Sequence, residues 1–564
     1  MIILGINDIA HHNTSAAIVK DGEIVAAIEE ERISRIKLDN GYPYAAINEV
    51  LEIAGLSAGD IDHVALAGLD HVQQRPALNL MFDHIAELAK EDDEIRRFYR
   101  KQQLDRYSRL LRSRPKLPKA FKDKVSTIVE HHQAHAASAY FASPFEGKKV
   151  GVISLDGSGD FSWGSVWVGE NGKMEHVEHL HALNSLALLY SAFTIFLGFK
   201  ATRHEGKVLG LAAFGKPEPL YSRLMDLVNP DDWDHLLHPR LAKCTLRQHG
   251  DMAQNSIREL TEGLCKEDIA AGLQAFTEKL VCDKVESYAK ELDVRYLALA
   301  GGIFANVKLN QRILELPAID NIYIHPNMGD GGLAAGAALQ AYANLNPERM
   351  PMFMNNVYLG TRITRESAEA ALVESGLGFE APENMAKAAA GLLADGKVVA
   401  RACDGMEYGP RALGNRTVMA ACSDPTINDW LNKKFQRTEF MPFAPVILEE
   451  HCAEYFPAWV PDHKAARFMT LTYDAADVAK EKIPAAVHVD QTARPQVIRR
   501  EDNRDYYDIL HEFHALTGVA SVINTSFNMH EEPIVCTASD AIRAFLDAKL
   551  DALILGPFLV FQPE

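Results

Sequence analysis

The chain has 564 residues, of which 47% are hydrophobic and 24% are charged. This composition excludes a disordered or fibrous chain, and the length favours two or three domains. Acidic residues outnumber basic ones by 77 to 58, and the net charge of -19 argues against a dedicated nucleic-acid binder, because phosphate contacts require a basic surface. The seven dispersed cysteines contain no C-x-x-C pair, so we expect no disulfide framework and a cytoplasmic location.

Two regions share the pattern of a strand followed by a hairpin. The first strand ends near Asp8, and the next two apolar runs flank Asp21 and Gly22, a pair that allows the positive φ of a tight turn. No basic segment precedes the first apolar residues, which favours a strand over a signal peptide. The pattern returns where a strand ends at Asp156 and a hairpin follows. This duplication predicts two related α/β halves, by analogy with sugar kinases, actin and the chaperone ATPases, which bind nucleotide between their halves.

A domain boundary is predicted within residues 344–362, which contain two prolines and no clear periodicity. We therefore expect one domain over residues 1–350 and an α/β domain over residues 361–564. The second domain begins with helical patterns at 366–375 and 385–394.

Two further stretches bear on location and partners. Between Glu178 and Lys200, polar residues interrupt an uncharged stretch at helical spacing, which predicts a buried helix of a soluble protein and no membrane span. Residues 96–124 hold twelve Lys and Arg. They are either a solvated helical hairpin or a patch that receives an anionic substrate or membrane surface.

His131 and His135 are candidate metal ligands. They are four residues apart in a helix-forming run, so they share one helix face, where two imidazoles can bind one metal ion. The zinc-protease pattern H-E-x-x-H does not apply, so a carboxylate must come from elsewhere. Asp156 and Asp330 each follow an apolar strand, and two His with one or two Asp suit iron, zinc or manganese.

A Gly-Gly turn at Gly301 and Gly302 connects a buried strand to a predicted helix. Free N–H groups and the positive dipole end of a helix suit phosphate, although glycine pairs also serve plain tight turns. The loop 329–332 repeats this arrangement. No Walker A motif occurs, so any nucleotide site must use this other architecture. Lys207 is predicted in a glycine-flanked turn, where it suits a phosphate or adenylate group or is a plain surface lysine.

The C-terminal region places arginines among glycine, alanine and proline. A guanidinium is costly to desolvate alone, so arginines in such surroundings have fixed partners. Internal salt bridges are one explanation, and bidentate binding of phosphate or carboxylate groups is the other. The residues concerned are Arg411, Arg416, Arg437 and Arg494, and residues 524–528 add hydroxyl and amide groups after an apolar strand.

Four motifs carry a family resemblance, at residues 205–212, 408–416, 437–445 and 524–528. In this order they resemble the O-carbamoyltransferases, which include enzymes of nodulation-factor, cephamycin, tobramycin, novobiocin and ansamycin biosynthesis. The resemblance extends from Gly5 to the last strand, and residues 437–441 are similar to the nodulation branch. Other branches carry Lys at the position of Phe435 and Arg at that of Met441.

For the C-terminal domain, the resemblance implies a YrdC-like fold. There carbamoyl phosphate and ATP, with magnesium, would yield carbamoyl-adenylate with loss of phosphate and pyrophosphate. Arg437 would be catalytic, and Lys434 or its neighbour Lys433 would substitute for the cationic residues of other branches. The implied binding residues are Arg411, Arg416, Lys434, Arg437, Arg494, Ser526 and Asn528.

For the N-terminal domain, the resemblance implies the actin-like fold of the threonylcarbamoyl-transfer subunit of tRNA modification, which binds adenylate beside an iron ion. Lys207 would be catalytic, and His12 matches a proposed general base; Asn13 stands where the family more usually has Asp. The implied ligands of iron(II), or else of zinc or manganese, are His131, His135, Asp156 and Asp330. The implied adenylate contacts are Lys207, Gly301, Gly302, Asn306 and Asn310.

The predicted activity is ATP-dependent O-carbamoyl transfer to a small molecule or saccharide. The expected partners are carbamoyl phosphate, ATP and a hydroxyl-bearing acceptor, without stable nucleic acid, and a homodimer is left open. One alternative is a sugar kinase of the actin-like superfamily, which the arginine-rich C-terminal domain does not fit. Another is a tRNA-modifying enzyme, supported only by the basic stretch 96–124. A non-catalytic metal-binding scaffold is the third.

Overall fold

The computed structural model of the protein describes residues 1–8, 12–70, 73–109, 117–435 and 440–563. Residues 1–353 contain both strands and helices. The strands are β1 Ile2–Asn7, β2 Ser15–Lys20, β3 Glu23–Glu29, β4 His63–Ala67, β5 Val125–Val129, β6 Val150–Gly159, β7 Ser162–Glu170, β8 Lys173–His181, β9 Tyr296–Ala300 and β10 Asn321–Ile324. The helices are α1 Glu30–Ser34, α2 Tyr44–Ile53, α3 Arg75–Glu91, α4 Asp93–Arg109, α5 His131–Phe141, α6 Leu186–Phe196, α7 Glu205–Ala212, α8 Leu220–Met225, α9 Pro239–Leu246, α10 Asp251–Leu260, α11 Lys266–Glu291, α12 Val307–Leu314 and α13 Leu333–Leu345.

The chain forms two compact units. The first unit comprises Met1–His11 and Ile61–Phe353, and the second comprises His12–Asp60 and Met354–Glu564. Residues 12–60 therefore group with the C-terminal part of the chain. The assignment of separate functions to residues 1–350 and 361–564 stays a prediction.

The two predicted strand–hairpin regions have the same pairing pattern. In the first region, β4 pairs in parallel with β1 and with β5, and β2 and β3 form an antiparallel hairpin. In the second, β9 pairs in parallel with β6 and with β10, and β6, β7 and β8 form an antiparallel meander. The hairpin turns contain Asp21 and Gly22, with φ of 51° and 90°, and Asn171 and Gly172, with φ of 49° and 77°. Both predicted hairpins are confirmed.

Within the first unit, α5 and α13 pack against each other at very short range. A Cβ atom on Gly336 of α13 would lie 1.9 Å from the carbonyl oxygen of Ala134 of α5, so only glycine permits this approach. Helix α5 also packs against β6 and β9, and α13 against β1 and β4. The start of α5 is thereby held in a fixed position relative to the segment that leads into α13.

The C-terminal part of the chain also contains both strands and helices. The strands are β11 Arg362–Ile363, β12 Phe379–Glu380, β13 Val399–Ala402, β14 Asp404–Gly405, β15 Arg416–Ala420, β16 Ala444–Leu448, β17 Tyr473–Asp474, β18 Thr492–Ala493, β19 Gln496–Ile498, β20 Ser521–Ser526, β21 Ala552–Leu555 and β22 Phe558–Phe561. The helices are α14 Arg365–Ser375, α15 Met385–Ala394, α16 Ile427–Lys434, α17 Glu449–Tyr455, α18 Asp477–Lys482, α19 Arg504–Thr517 and α20 Ala538–Ala548.

The second unit is built on a mixed sheet with the strand order β12-β22-β21-β13-β15-β20-β16-β19. Strand β13 pairs in parallel with β21 and antiparallel with β15, and β20 pairs antiparallel with β15 and β16. Helix α15 packs against α19, and α14 against α20. The α/β class and the helices predicted at 366–375 and 385–394 are confirmed.

Two local predictions need correction. Lys207 does not lie in a turn: it belongs to α7, because Val208 and Leu211 are buried on one face of that helix and offset the poor helix propensity of its two glycines. The Gly-Gly turn leads first into a 3₁₀ helix, Gly302–Ala305, and only then into α12. In the stretch between Glu178 and Lys200, α6 forms the predicted buried helix. Among the residues described, no helix is both long enough and apolar enough to cross a membrane.

Candidate metal centre and arginine-rich loops

The first two turns of α5 carry His131 and His135 on one face, as their spacing predicts. Glu130 caps this helix by accepting a hydrogen bond of 2.7 Å from the N–H of Gln133. The carboxylate of Asp160 accepts the N–H of His131 at 2.8 Å. Two carboxylates therefore accept two of the N–H groups that have no partner within the helix at the start of α5. These contacts fix the residue at which the helix begins.

The structure brings the four predicted metal ligands together in one cluster. One donor atom each of His131, His135, Asp156 and Asp330 lies within 4.8 Å of the others. Nε2 of His131 is 3.4 Å from Asp156 and 3.7 Å from Asp330, and Nε2 of His135 is 3.5 Å from each carboxylate. His135 is completely buried.

These separations fit a shared cation better than direct ion pairs. Charge-assisted N–H···O bonds are about 2.7–2.9 Å long, whereas ligand atoms about 2.1 Å from one metal ion lie roughly 3.0–3.5 Å from one another. Two imidazole nitrogens and two carboxylate oxygens are a donor set that suits iron, zinc or manganese. The chemistry of the four side chains and their spacing thus fit a divalent transition metal.

The electrostatics of the cluster are dominated by its two carboxylates. Burial lowers the pKa of His131, but the hydrogen bond to Asp156 and the charge of Asp330 outweigh it and raise that pKa to about 10. The pKa of His135 is also raised, because hydrogen bonds to the same two carboxylates outweigh the effect of burial. The two imidazoles hold the pKa of Asp156 well below its usual value despite burial. The site therefore stabilises positive charge at its centre.

Two neighbours of the cluster, His132 and Gly159, pack against the His131 ring. Burial and the adjacent imidazoles keep the pKa of His132 well below its usual value, so this ring is neutral. Its Nε2–H donates to the carbonyl oxygen of Ser162 at 3.0 Å, and its Nδ1 accepts from the hydroxyl of Ser154 at 2.6 Å. A Cβ atom on Gly159 would lie 2.1 Å from ring atoms of His131, so the backbone of β6 packs directly on that imidazole. No local sequence pattern indicates these roles of His132 and Gly159.

The Gly-Gly turn is attached to the cluster through Asp156. The N–H of Gly302 donates to Oδ1 of Asp156 at 3.0 Å, while Oδ2 of the same carboxylate faces the imidazoles. Gly301 has φ of 102°, and a Cβ atom there would lie 2.0 Å from the carbonyl oxygen of Leu155. A single carboxylate thus connects the predicted metal site and the predicted phosphate-binding turn.

The other predicted adenylate contacts have structural partners around this turn. The side chain of Asn306 caps α12 by accepting the N–H of Leu309, and it exchanges two hydrogen bonds with Gln274 of α11. Nδ2 of Asn310 donates to the carbonyl oxygen of Phe304 at 2.7 Å. Lys207 is buried in α7, which also packs against α11. Helix α11 therefore connects the elements that carry Asn306 and Lys207.

In the second unit, Glu407 organises residues 405–416, which we call the motif loop. Its Oε1 accepts the N–H groups of Leu413, Asn415 and Arg416 at 2.8, 2.7 and 3.0 Å. Arg401 donates to the carbonyl oxygen of Gly414 and to the side chain of Asn415. A buried carboxylate bound by three backbone N–H groups shapes the loop, and a single glutamate in a glycine-rich segment gave no sequence signal for this role.

Arg416 is completely buried, and the hydrogen-bond acceptors described for its guanidinium are all backbone carbonyl oxygens. These belong to Thr361, Cys403, Asp404, Asn415 and Cys536, at 2.6–3.3 Å. A guanidinium has five N–H donors, and all three nitrogens of Arg416 are engaged. The geometry favours an architectural role over the predicted contact with substrate phosphate.

The other predicted binding residues of the second unit lie in loops or at the ends of strands and helices. Arg411 is half-buried on the motif loop, and Arg494 is half-buried between β18 and β19. Ser526 ends β20, and the side chain of Asn528 donates to the carbonyl oxygens of Met529 and Glu532. Nζ of Lys434 lies 3.2 Å from the carbonyl oxygen of Lys549.

Two predictions fall wholly or partly outside the described residues. Arg437 lies outside, as do residues 110–116 of the basic stretch. Phe435 is fully buried and caps the C-terminal end of α16. His12 belongs to the second unit, and its Nδ1 lies 3.0 Å from Oδ1 of Asn13.

Comparison with known proteins assigns the chain to a family. A family model described as Carbamoyltransferase N-terminus matches residues 2–339, and one described as Carbamoyltransferase C-terminus matches residues 390–562. The Synechocystis sp. protein sll1178 is 34% identical over 99% of this chain and 96% of its own length. The nodulation protein NolNO of Sinorhizobium fredii is 31% identical over 97% of this chain and 79% of its own, and the nodulation protein NolO of Bradyrhizobium diazoefficiens is 33% identical over 77% and 78%. The predicted resemblance is confirmed, and the chain belongs to the carbamoyltransferase family.

Proposed function

We propose that the protein is an ATP-dependent O-carbamoyltransferase, which forms carbamoyl-adenylate and transfers its carbamoyl group to a hydroxyl of a small molecule or saccharide. The observation that carries the proposal is the cluster of His131, His135, Asp156 and Asp330 beside a Gly-Gly turn, in a chain that matches both carbamoyltransferase models. The repeated pairing pattern of β1–β10 supports an actin-like N-terminal domain. We assign adenylate formation to the C-terminal domain and a YrdC-like fold to it.

The first reaction activates the carbamoyl group. Water releases phosphate from carbamoyl phosphate and leaves carbamate, whose oxygen attacks the α-phosphorus of ATP and expels pyrophosphate. Charge accumulates on phosphate oxygens, so the site needs rigid cationic donors. We assign this role to Arg411, Arg494 and Arg437, with Lys434, Ser526 and Asn528 as further contacts. Arg416 and Glu407 would hold the loop that presents Arg411.

The second reaction transfers the carbamoyl group. The acceptor hydroxyl attacks the carbonyl carbon, the bond to the adenylate oxygen breaks, and AMP leaves. His12 would accept the hydroxyl proton, and the ammonium group of Lys207 would stabilise the charge on AMP. Gly301, Gly302, Asn306 and Asn310 would be further contacts of the adenylate.

His131, His135, Asp156 and Asp330 would hold a divalent metal ion, for which iron(II) is the first candidate. Such an ion supplies Lewis-acid polarisation of a phosphate or carbonyl oxygen. The residues themselves fix the geometry: Asp156 holds the Gly302 N–H on one oxygen, and α5 presents both imidazoles on one face.

The function is tested by incubating the protein with carbamoyl phosphate, ATP and a cell extract. We expect pyrophosphate and AMP, and a product heavier by one carbamoyl group in the mass spectrum. Formation of ADP without carbamoylated product would instead favour a sugar kinase. Salt-sensitive binding of tRNA that co-purifies with the protein would favour RNA modification.

Two variants separate the half-reactions. Arg437→Ala should abolish pyrophosphate release and still transfer from supplied carbamoyl-adenylate, because it removes a donor at the site of activation only. His12→Ala should release pyrophosphate normally and fail to transfer from supplied carbamoyl-adenylate. Equal loss of pyrophosphate release in both variants would contradict this division of roles.

A further inference from the structure

Residues 29–32 are four consecutive charged residues that are all buried. Glu29, Glu30, Glu31 and Arg32 expose 3%, 8%, 0% and 3% of their surface. Charged side chains are almost never fully buried without partners. Each residue of this run must therefore have a specific role in the second unit.

Two members of the run have local structural roles. The carboxylate of Glu30 accepts the N–H groups of Ala45 and Ala46 at the start of α2, at 3.2 and 2.7 Å. The carboxylate of Glu31 binds Nζ of Lys37 at 3.1 Å and the N–H of Leu38 at 2.7 Å. These contacts explain why both carboxylates are buried: Glu30 caps α2, and Glu31 holds the loop that contains Lys37 and Leu38.

Glu29 faces a residue next to the predicted general base. Its Oε2 accepts Nδ2 of Asn13 at 3.1 Å, and Oδ1 of Asn13 lies 3.0 Å from Nδ1 of His12. A carboxylate can only accept hydrogen bonds, so the amide nitrogen of Asn13 must face Glu29 and the amide oxygen must face His12. An amide oxygen can only accept, so Nδ1 of His12 must carry the proton.

Arg32 holds Glu29 in place. One terminal nitrogen of its guanidinium lies 3.4 Å from Oε2 of Glu29 and 3.1 Å from the carbonyl oxygen of Gly409 in the motif loop. Gly409 has φ of 119°, a conformation that favours glycine, so the direction of this carbonyl is set by the loop. The motif loop thus anchors Arg32, and Arg32 anchors Glu29.

We propose that Glu29 is a positioning residue that sets the tautomer of His12 through Asn13 and leaves Nε2 unprotonated to accept the proton of the acceptor hydroxyl. This inference rests on the proposed role of His12 in transfer. An Asp at position 13 would hold Nδ1–H without help. With an amide at position 13, a neighbouring carboxylate that accepts Nδ2 fixes which amide atom faces His12, and Glu29 makes this contact.

The first test is spectroscopic and independent of activity. The protein is labelled with ¹⁵N-histidine, and the ring signals of His12 are assigned by their loss in His12→Gln. Wild type should show the Nδ1–H tautomer when the ring is neutral. Glu29→Gln should show a mixture of tautomers, because the amide that replaces the carboxylate can accept or donate. An Nε2–H tautomer in wild type, or an unchanged tautomer in Glu29→Gln, would overturn the proposal even if no carbamoylated product is ever found.

The second test is kinetic and uses supplied carbamoyl-adenylate. Glu29→Gln should lower kcat for transfer by at least about 10-fold, with KM unchanged, because a wrong tautomer of a catalytic histidine costs up to about 10⁴-fold. The matched control is Glu30→Gln, which changes the adjacent buried carboxylate and should leave kcat at the wild-type value.

A rescue variant separates positioning from a structural effect. In Asn13→Asp/Glu29→Gln the net charge is the same as in wild type, the introduced aspartate accepts Nδ1–H, and the introduced glutamine donates to that aspartate. We expect this double variant to recover most of the lost kcat and the Nδ1–H signal. A double variant as slow as Glu29→Gln, or a control as slow as Glu29→Gln, would show that Glu29 acts only on the stability of the fold.

Discussion

The cluster of His131, His135, Asp156 and Asp330 in the first unit and the motif loop in the second both bury ionisable groups. The two regions differ in the partners that surround these groups. In the cluster, Nε2 of His131 and of His135 each face both carboxylates, those of Asp156 and Asp330, at 3.4–3.7 Å. In the motif loop, Arg416 and Glu407 bond to backbone groups at ordinary hydrogen-bond distances.

This difference distinguishes a candidate ligand-binding site from contacts that only stabilise the fold. A buried charge with backbone partners is already neutralised by the fold, because peptide dipoles replace the water it has lost. Ionisable side chains that converge on one point, at separations too long for strong mutual hydrogen bonds, leave room for a ligand between them. The identity of the partner, rather than burial or residue type, therefore indicates which groups take part in chemistry.

The largest effect on stability is expected from Arg416→Lys. Lysine keeps the charge but cannot reach the five carbonyl groups that the guanidinium binds, and each buried carbonyl left without a donor costs about 1–3 kcal/mol. We expect a loss of about 3 kcal/mol or more in the free energy of unfolding, measured by denaturant titration. The control Arg411→Lys concerns a half-buried arginine of the same loop and should lose less than about 1 kcal/mol. Equal losses of stability in the two variants would contradict a structural role that is specific to Arg416.

For the cluster, His135→Ala should abolish metal binding while the protein stays folded. Removing one ligand should cost more than the 10–100-fold in affinity that is typical of outer-shell changes. The measurement is metal content after anaerobic loading with iron(II), together with the circular dichroism spectrum. His176→Ala changes an exposed histidine of β8 outside the cluster and should bind as wild type does. Unchanged metal content in His135→Ala would reject the assignment, whatever happens to activity.

Predictions from sequence were accurate where the determining contacts are local. The Asp21-Gly22 turn and the helices at 366–375 and 385–394 follow from residues within one turn or one helix face. The shared face of His131 and His135 is likewise a consequence of helical spacing in α5. The turn predicted at Lys207 is wrong because burial of the apolar face of α7 outweighs the helix penalty of its glycines, which is about 1 kcal/mol per residue.

Long-range contacts account for the rest. Cys403 and Cys536 provide carbonyl groups to Arg416 from segments more than a hundred residues apart, so the sequence left only salt bridges or anion binding as explanations for that arginine. Asp330 reaches the cluster because α13 packs against α5 through Gly336, a contact that no local pattern reveals. Its place after an apolar strand and the family resemblance both made Asp330 a candidate ligand, but the distances came only with the structure.

The smallest and most discriminating effect is expected from two glycines of β6. A Cβ atom on Gly159 would overlap the His131 ring at 2.1 Å, whereas one on Gly157 would meet only a methyl group of Leu188 at 3.5 Å, an ordinary contact. Gly159→Ala should therefore displace the imidazole and weaken metal affinity about 10–100-fold, as outer-shell changes do, while Gly157→Ala binds as wild type. Isothermal titration with iron(II) or zinc measures both. If the two variants bind equally well, the orientation of His131 is not set by β6, and the cluster tolerates more movement than its packing indicates.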